Sequence, residues 1–119
     1  MGEGTPWRSV TLSQLIDAGL VRVPLDIEHR YKGAELTARI EAARRIMFAG
    51  QPYDSLSMAG GMARKSIVGS PPGRDYPQTN GWTFWQYHRT DGSLGLLDEL
   101  RRAFHESKVV SLVDGRRIG

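Results

Sequence analysis

The chain has 119 residues, 39% hydrophobic and 24% charged, which suits one globular domain with a modest core and excludes a disordered or fibrous class. It has no cysteine, so disulfides and thiolate metal sites are excluded and a reducing compartment is a natural setting. The net charge of +3 is small, yet between Leu56 and Thr90 the basic residues Arg64, Lys65, Arg74 and Arg89 stand against Asp75 alone, so the whole excess falls in that segment.

Met1 to Arg8 carries no apolar stretch of the signal-peptide kind. No run approaches the roughly 18 apolar residues of a membrane span, so a cytoplasmic protein without a membrane partner is expected. Thr11 followed by Gln14 is a capping-box pattern, Leu12, Leu15 and Ile16 share one helical face, and Gly19 is a natural stop, which predicts a helix from about Leu12 to Ala18. Ile27 to Tyr31, Leu36 to Ile40 and Arg45 to Phe48 are short apolar runs separated by turn residues, and read as a three-stranded meander. Tyr53, beside Pro52, would end its last hairpin.

Asp54, Ser55 and Ser57 are good N-cap residues. After them Met58 with Met62, and Ala59 with Ala63, recur at helical spacing up to a closing Gly69. This second helix holds Gly60 and Gly61 in its interior, each costing roughly 1 kcal/mol against Ala. Either another backbone or a ligand approaches there, or the helix is weak. Ser70 to Gln78, with three prolines and Gly73, is expected to be an exposed loop presenting Arg74 and Tyr76.

Asn80 to Trp85 places two of the three Trp residues beside an Asn-Gly turn signal. It reads as a turn entering a strand, with Trp82, Phe84 and Gln86 on one side and Thr83, Trp85 and Tyr87 on the other. Thr90-Asp91-Gly92 is a further turn, and Leu96, Leu97, Leu100 and Phe104 form the apolar face of a third helix. The tail from Lys108 to Gly119 could add an edge strand, dimerise or fray. The expected fold class is α+β: a small antiparallel sheet, made of the meander plus the aromatic strand, flanked by about three helices. The expected domain is 10–106, with residues 107–119 as a tail.

Catalytic groups are hard to assemble from these residues. His29, His88 and His105 have no metal-ligand spacing, and no phosphate-loop, zinc-protease or nucleophile-elbow pattern occurs, so neither enzyme activity, a metal nor a cofactor is expected.

Several stretches together resemble one family: Val10 to Gly19 (VTLSQLIDAG), Tyr31-Lys32-Gly33, Tyr53 to Ala59 (YDSLSMA), Asn80 to Trp85 (NGWTFW) and Leu100-Arg101. In that order and spacing they are similar to the RAMA domain, named for restriction enzyme and adenine methylase association, over about Val10 to Phe104. The resemblance implies a DNA-binding module of restriction or DNA-modification systems, in some members a reader of N6-methyladenine, with a restriction or methyltransferase partner. Two departures stand out. Family members usually have an Ala-rich helix with Pro before its second Ser, where this chain has Leu56 and the Gly60-Gly61 pair. The family helix also runs almost directly into the Asn-Gly-Trp turn, where this chain interposes Ser70 to Gln78.

The residues allow a mechanism beside that resemblance. Arg64, Lys65 and Arg74 would hold phosphates, with Ser55, Ser57 and the helix N-terminus adding neutral contacts. Trp82, Trp85 or Tyr53 could stack on an unpaired base for about 1 to 3 kcal/mol, and Asn80 could pair with an adenine edge. Each has a plainer role: Trp82 and Phe84 in the core, Asn80 in its turn, Ser55 and Ser57 as caps, Arg64 and Lys65 on a solvated helix face. A protein-interaction or dimerisation module without DNA affinity is the alternative, and a hydrolase using His88 or His105 a remote third. Duplex, single-stranded or RNA preference and oligomeric state are left open by the sequence.

Overall fold

A pair of positive φ angles closes each of two hairpins. Lys32 and Gly33 take φ of 50° and 82°, and Ala49 and Gly50 take 52° and 80°. Two consecutive positive values define the tight turn whose twist matches that of paired strands. The first joins β1 (Leu25–Tyr31) to β2 (Ala34–Ala42), with Tyr31 opposite Ala34. The second joins β3 (Arg45–Phe48) to β4 (Gln51–Tyr53), with Phe48 opposite Gln51. The computed structural model describes residues 6–107; the tail from Lys108, expected to pair, dimerise or fray, lies outside the described residues.

The remaining elements are a 3-10 turn (Pro6–Ser9), α1 (Leu12–Asp17), α2 (Leu56–Val68), α3 (Gly81–Phe84), β5 (Gln86–His88), β6 (Leu94–Leu96) and a helix, α4, over 98–107. The strands form one antiparallel sheet in the order β4-β3-β2-β1-β5-β6. The α+β class with an antiparallel sheet is therefore as expected, with six strands in place of four.

Register explains which face is wet. Ile27 pairs with Ala38 and His29 with Leu36 on one face, while Asp26 pairs with Arg39 and Arg30 with Glu35 on the other. The first face, with Ile40 and Ile46, is buried in the core, with α2 packed against β2, β3 and β4. The second is charged and solvated, as one-sided antiparallel sheets are; Arg39 bonds Asp26 across it at 2.8 Å. Leu15, Ala59, Ala63, Phe84, Trp85 and Leu97 belong to the same core.

The expected capping box at Thr11 and Gln14 is present. Ser55 caps α2, its Oγ accepting the Met58 N–H at 3.0 Å, and Gly69 closes the helix. Three expectations need correction. Gln51-Pro52-Tyr53, expected as a turn after the meander's third strand, is a fourth strand paired to it: at the sheet edge the missing N–H of Pro52 costs no ladder bond on its open side. Leu96 belongs to edge strand β6 rather than to the third helix. The aromatic segment is not a strand from Asn80. Asn80 Oδ1 accepts the Trp82 N–H at 3.0 Å and caps a turn of helix, and only Gln86 to His88 pair with the sheet.

That last difference has a steric cause. Gly81 has no positive φ, so the Asn-Gly pair is not a hairpin turn here. A Cβ at Gly81 would overlap the carbonyl carbon of Leu56 and the nitrogen of Ser57. The start of α3 is thus pressed against the backbone at the start of α2, where the Gly81 N–H donates to Ser57 Oγ at 2.9 Å. Four residues on, the Trp85 indole N–H donates to the Leu56 carbonyl at 3.0 Å.

Candidate functional site

The first turn of α2 and the loop from Ser70 to Thr79 face each other across an open cavity of about 560 Å³. Ser55, Ser57 and Met58 line the helix side, and Arg74, Asp75, Tyr76, Gln78 and Thr79 line the loop side. The two buried glycines of α2 let the loop come this close. A Cβ at Gly61 would strike the Tyr76 ring and come within 2.8 Å of the Pro77 carbonyl oxygen. One at Gly60 would sit 3.1 Å from the Thr79 methyl and 3.3 Å from Phe84. Of the sequence-level alternatives at Gly60-Gly61, close approach is the one realised, by the chain's own loop.

Arg64 ties the two walls together. Its Nε donates to the Tyr31 hydroxyl at 3.2 Å, and its Nη1 donates to the Gln78 carbonyl at 3.0 Å and to Thr79 Oγ1 at 3.1 Å. Within the loop, the Thr79 hydroxyl donates to the Pro77 carbonyl, Ser70 Oγ to the Asp75 carbonyl and the Arg74 N–H to the Pro71 carbonyl. The expectation of a wholly exposed loop is corrected at its second half, where Pro77 is buried and Tyr76 half-buried.

Of the residues expected to contact a ligand, Ser55, Ser57 and Arg74 come together here. Arg64 and the half-buried Lys65 lie further along α2, outside the lining. Tyr53 is half-buried against the core in β4, and Asn80 is exposed but occupied in capping. Trp85 is fully buried, its ring edge-on to Phe84 at 5.0 Å between centroids, which leaves no face for a base. Trp82 is half-buried, with the Arg101 guanidinium 4.3 Å from its ring centroid.

Arg101, which the helical pattern puts on the outward face of the third helix with Asp98, Glu99, Arg102 and Glu106, is instead an interior cation. It is buried, paired with Asp98 at 2.7 Å, and it donates to the Arg8 carbonyl at 2.9 Å, fixing α4, the Trp82 ring and the first 3-10 turn together. Trp7, whose indole N–H donates to Asp98 at 3.2 Å, completes this knot. Met58, Asp75, Gln78 and Thr79 of the cavity were also unassigned; the Gly60-Gly61 pair opposite a Pro-rich loop was the signal that could have placed them.

The local charge excess is partly spent. Arg89 forms two bonds with Glu99, at 2.8 and 2.7 Å, and Tyr87 donates to the same carboxylate at 2.5 Å. Burial, then the Glu99 bond, pushes the Tyr87 hydroxyl up to about 12, while Arg89 holds the Glu99 carboxyl below its usual range. These shifts belong to a strut between β5 and α4 rather than to a reactive centre. Among the described residues Lys65 and Arg74 make no ion pair, and Arg74 is the cation that faces the cavity, with Asp75 next to it. No cluster of three metal-binding side chains occurs among the described residues, nor a helix long and apolar enough to cross a membrane.

Residues 1–109 match the model of the RAMA family, described as Restriction Enzyme Adenine Methylase Associated. The chain belongs to the RAMA family. The match covers most of the sequence, including the first turn, the α2 cap and the α3 segment described above, and the family's name ties it to restriction enzymes and adenine methylases. Compared with curated proteins, the chain has no match. Within this RAMA domain the motif residues Asn80 to Trp85 act through α2: Gly81 and Trp85 bond Ser57 and Leu56, and so brace one wall of the cavity.

Proposed function

We propose that this RAMA domain is a DNA-binding module without chemistry of its own, that it recognises N6-methyladenine, and that it directs a restriction or methyltransferase partner to DNA. The observation that carries this reading is the convergence of Ser55, Ser57 and the unpaired Arg74 on one cavity at the N-terminus of α2. That end of a helix attracts anions through its dipole and free N–H groups, and Arg74 adds a charge that can neutralise a phosphate. The half-buried Tyr76 ring and the Gln78 amide supply an apolar surface and a donor-acceptor pair suited to an adenine edge. Asp75 opposes a second phosphate nearby, which favours one anionic group beside one base over an extended backbone clamp.

The experiment is fluorescence anisotropy with matched labelled duplexes, unmodified and containing N6-methyladenine, each titrated at two salt concentrations. Tighter binding of the methylated duplex at both salts is expected, by about four-fold if one methyl carbon is buried for about 0.8 kcal/mol. Equal binding of both would remove the modified base from the proposal, and binding of neither would remove DNA.

One observation favours a second reading, a module that pairs with another chain. Strand β6 is a sheet edge, and Leu94 and Leu96 are 39% and 40% exposed on the wet face. The Arg89 N–H bonds the Ser93 carbonyl and the Leu97 N–H bonds the Trp85 carbonyl, so alternation turns the backbone groups of Leu94 and Leu96 away from β5. Light scattering across protein concentration tests this: a constant monomer mass removes self-association at that edge.

A further inference from the structure

Sequence alone groups Arg64 with Arg74 as phosphate ligands, but their surroundings differ. Arg74 is exposed and makes no ion pair among the described residues, whereas three donor contacts of Arg64 end on the protein itself, on Tyr31 of β1 and on Gln78 and Thr79 of the loop. Two contacts come from a single nitrogen and the third from Nε, a fork that only a guanidinium supplies. The contacts also bridge parts far apart in sequence, the sheet at one end and the loop at the other. Opposite them, Gly61 leaves the space into which the Tyr76 ring settles.

We propose that Arg64 is a positioning residue for the ligand site: with Gly61 it fixes the Ser70 to Thr79 loop against α2, so that Arg74, Tyr76 and Gln78 face the cavity as one preformed wall. This rests on the reading that the cavity takes DNA, and it names which cation touches phosphate and which does not. A preformed wall lowers the ordering cost that a free loop would add on binding. Arg74 then supplies the salt-dependent share of affinity, and Arg64 supplies geometry.

Charge-conserving substitution separates the two roles. Arg64→Lys keeps the positive charge and loses the fork, so it is expected to weaken binding of a labelled duplex by about ten-fold, as Arg64→Ala does. Arg74→Ala is expected to lower the slope of log affinity against log salt by about one, and Arg74→Lys to restore it. The second arm needs no ligand. Hydrogen exchange of the free protein over 73–80 should accelerate in Arg64→Lys and in Gly61→Ala, and stay at the wild-type rate in Arg74→Ala.

Wild-type affinity in Arg64→Lys, or unchanged exchange in the loop, overturns the positioning role. Should Gly61→Ala fail to fold, the milder Arg64→Lys carries both readouts. If the unaltered domain binds no duplex at all, the DNA reading falls by itself, and the exchange arm still decides whether Arg64 holds the loop.

Discussion

At the β1–β2 hairpin Gly33 takes φ of +82° with nothing within 4 Å of where a Cβ would lie, while at the α2–α3 junction Gly81 has no positive φ and no room for a Cβ. The first glycine is needed for its conformation, the second for its lack of substance. A conformational need is local: the two turn residues set it, and the alternating strands on either side follow. A packing need is set by a partner far along the chain, here Leu56 and Ser57, about twenty-five residues before Gly81. Two similar-looking Xaa-Gly turns therefore build different things.

The difference predicts unequal costs. Gly81→Ala should destabilise the domain by about 3 kcal/mol or more, because the added methyl meets backbone rather than a side chain that can swing away. Gly33→Ala should cost about 1 to 2 kcal/mol, the penalty of a left-handed residue, and Gly33→Asn less, since Asn tolerates that region. Urea unfolding of the three variants checks the order. Equal losses for Gly81→Ala and Gly33→Ala would mean that the α2–α3 contact can relax.

Trp85 sharpens the same contrast one step down in size. Trp85→Phe removes the indole N–H and leaves the Leu56 carbonyl at the buried start of α2 without that donor, for a loss of about 2 kcal/mol. Ile40→Val in the meander core shortens a fully buried side chain by one methyl group and should cost about 1 kcal/mol. Because Ser57 sits in the same turn as Leu56, Trp85→Phe should also weaken any ligand at the cavity, whereas Ile40→Val should not. Parallel melting curves and duplex titrations separate the two effects.

The sequence was most legible where structure is local. The Thr11 cap, the Ser55 cap (one of three candidates), the Gly69 stop and the three meander strands follow from pattern and turn chemistry and stand where that chemistry puts them, with β1 starting earlier, at Leu25, and β2 extending at both ends, to Ala34 and Ala42. Aromatic content misled at Asn80 to Trp85, because β-propensity describes a half-buried pleated surface, and this segment forms a turn of helix packed on α2 instead. Short strands such as β4 and β6 have three residues each, too few for a period to show. At the candidate site, Ser55, Ser57 and Arg74 were readable as cap and loop residues, but their convergence depends on two glycines and one arginine fork. Single-residue properties could not separate Arg64 from Arg74; hydrogen-bond partners did.

The smallest expected effect lies where the two regions meet. β5 joins the sheet beside β1, and His88 Nε2 lies 3.0 Å from Glu28 Oε1 across that seam, with Nδ1 3.4 Å from the Gly92 carbonyl. The bond to Glu28, then that to Gly92, raises the His88 imidazole above its ordinary value. A raised value in the folded state means that folding favours the protonated ring. Its stabilisation is complete below the unfolded-state value near 6.5 and is lost as pH rises through the folded value. Both side chains are accessible, so the effect is small and screened by salt. His88→Gln should therefore melt below wild type at about pH 5.5 and close the gap by about pH 8.5, with the gap narrower at high salt. Glu28→Gln should abolish most of that pH dependence while leaving the hairpin intact, since Glu28 faces Thr37 on the wet side of the sheet. A gap between His88→Gln and wild type that stays constant across this range would assign the residue to packing alone, and the seam between β1 and β5 would then rest on the ladder pairing of Glu28 with Gln86.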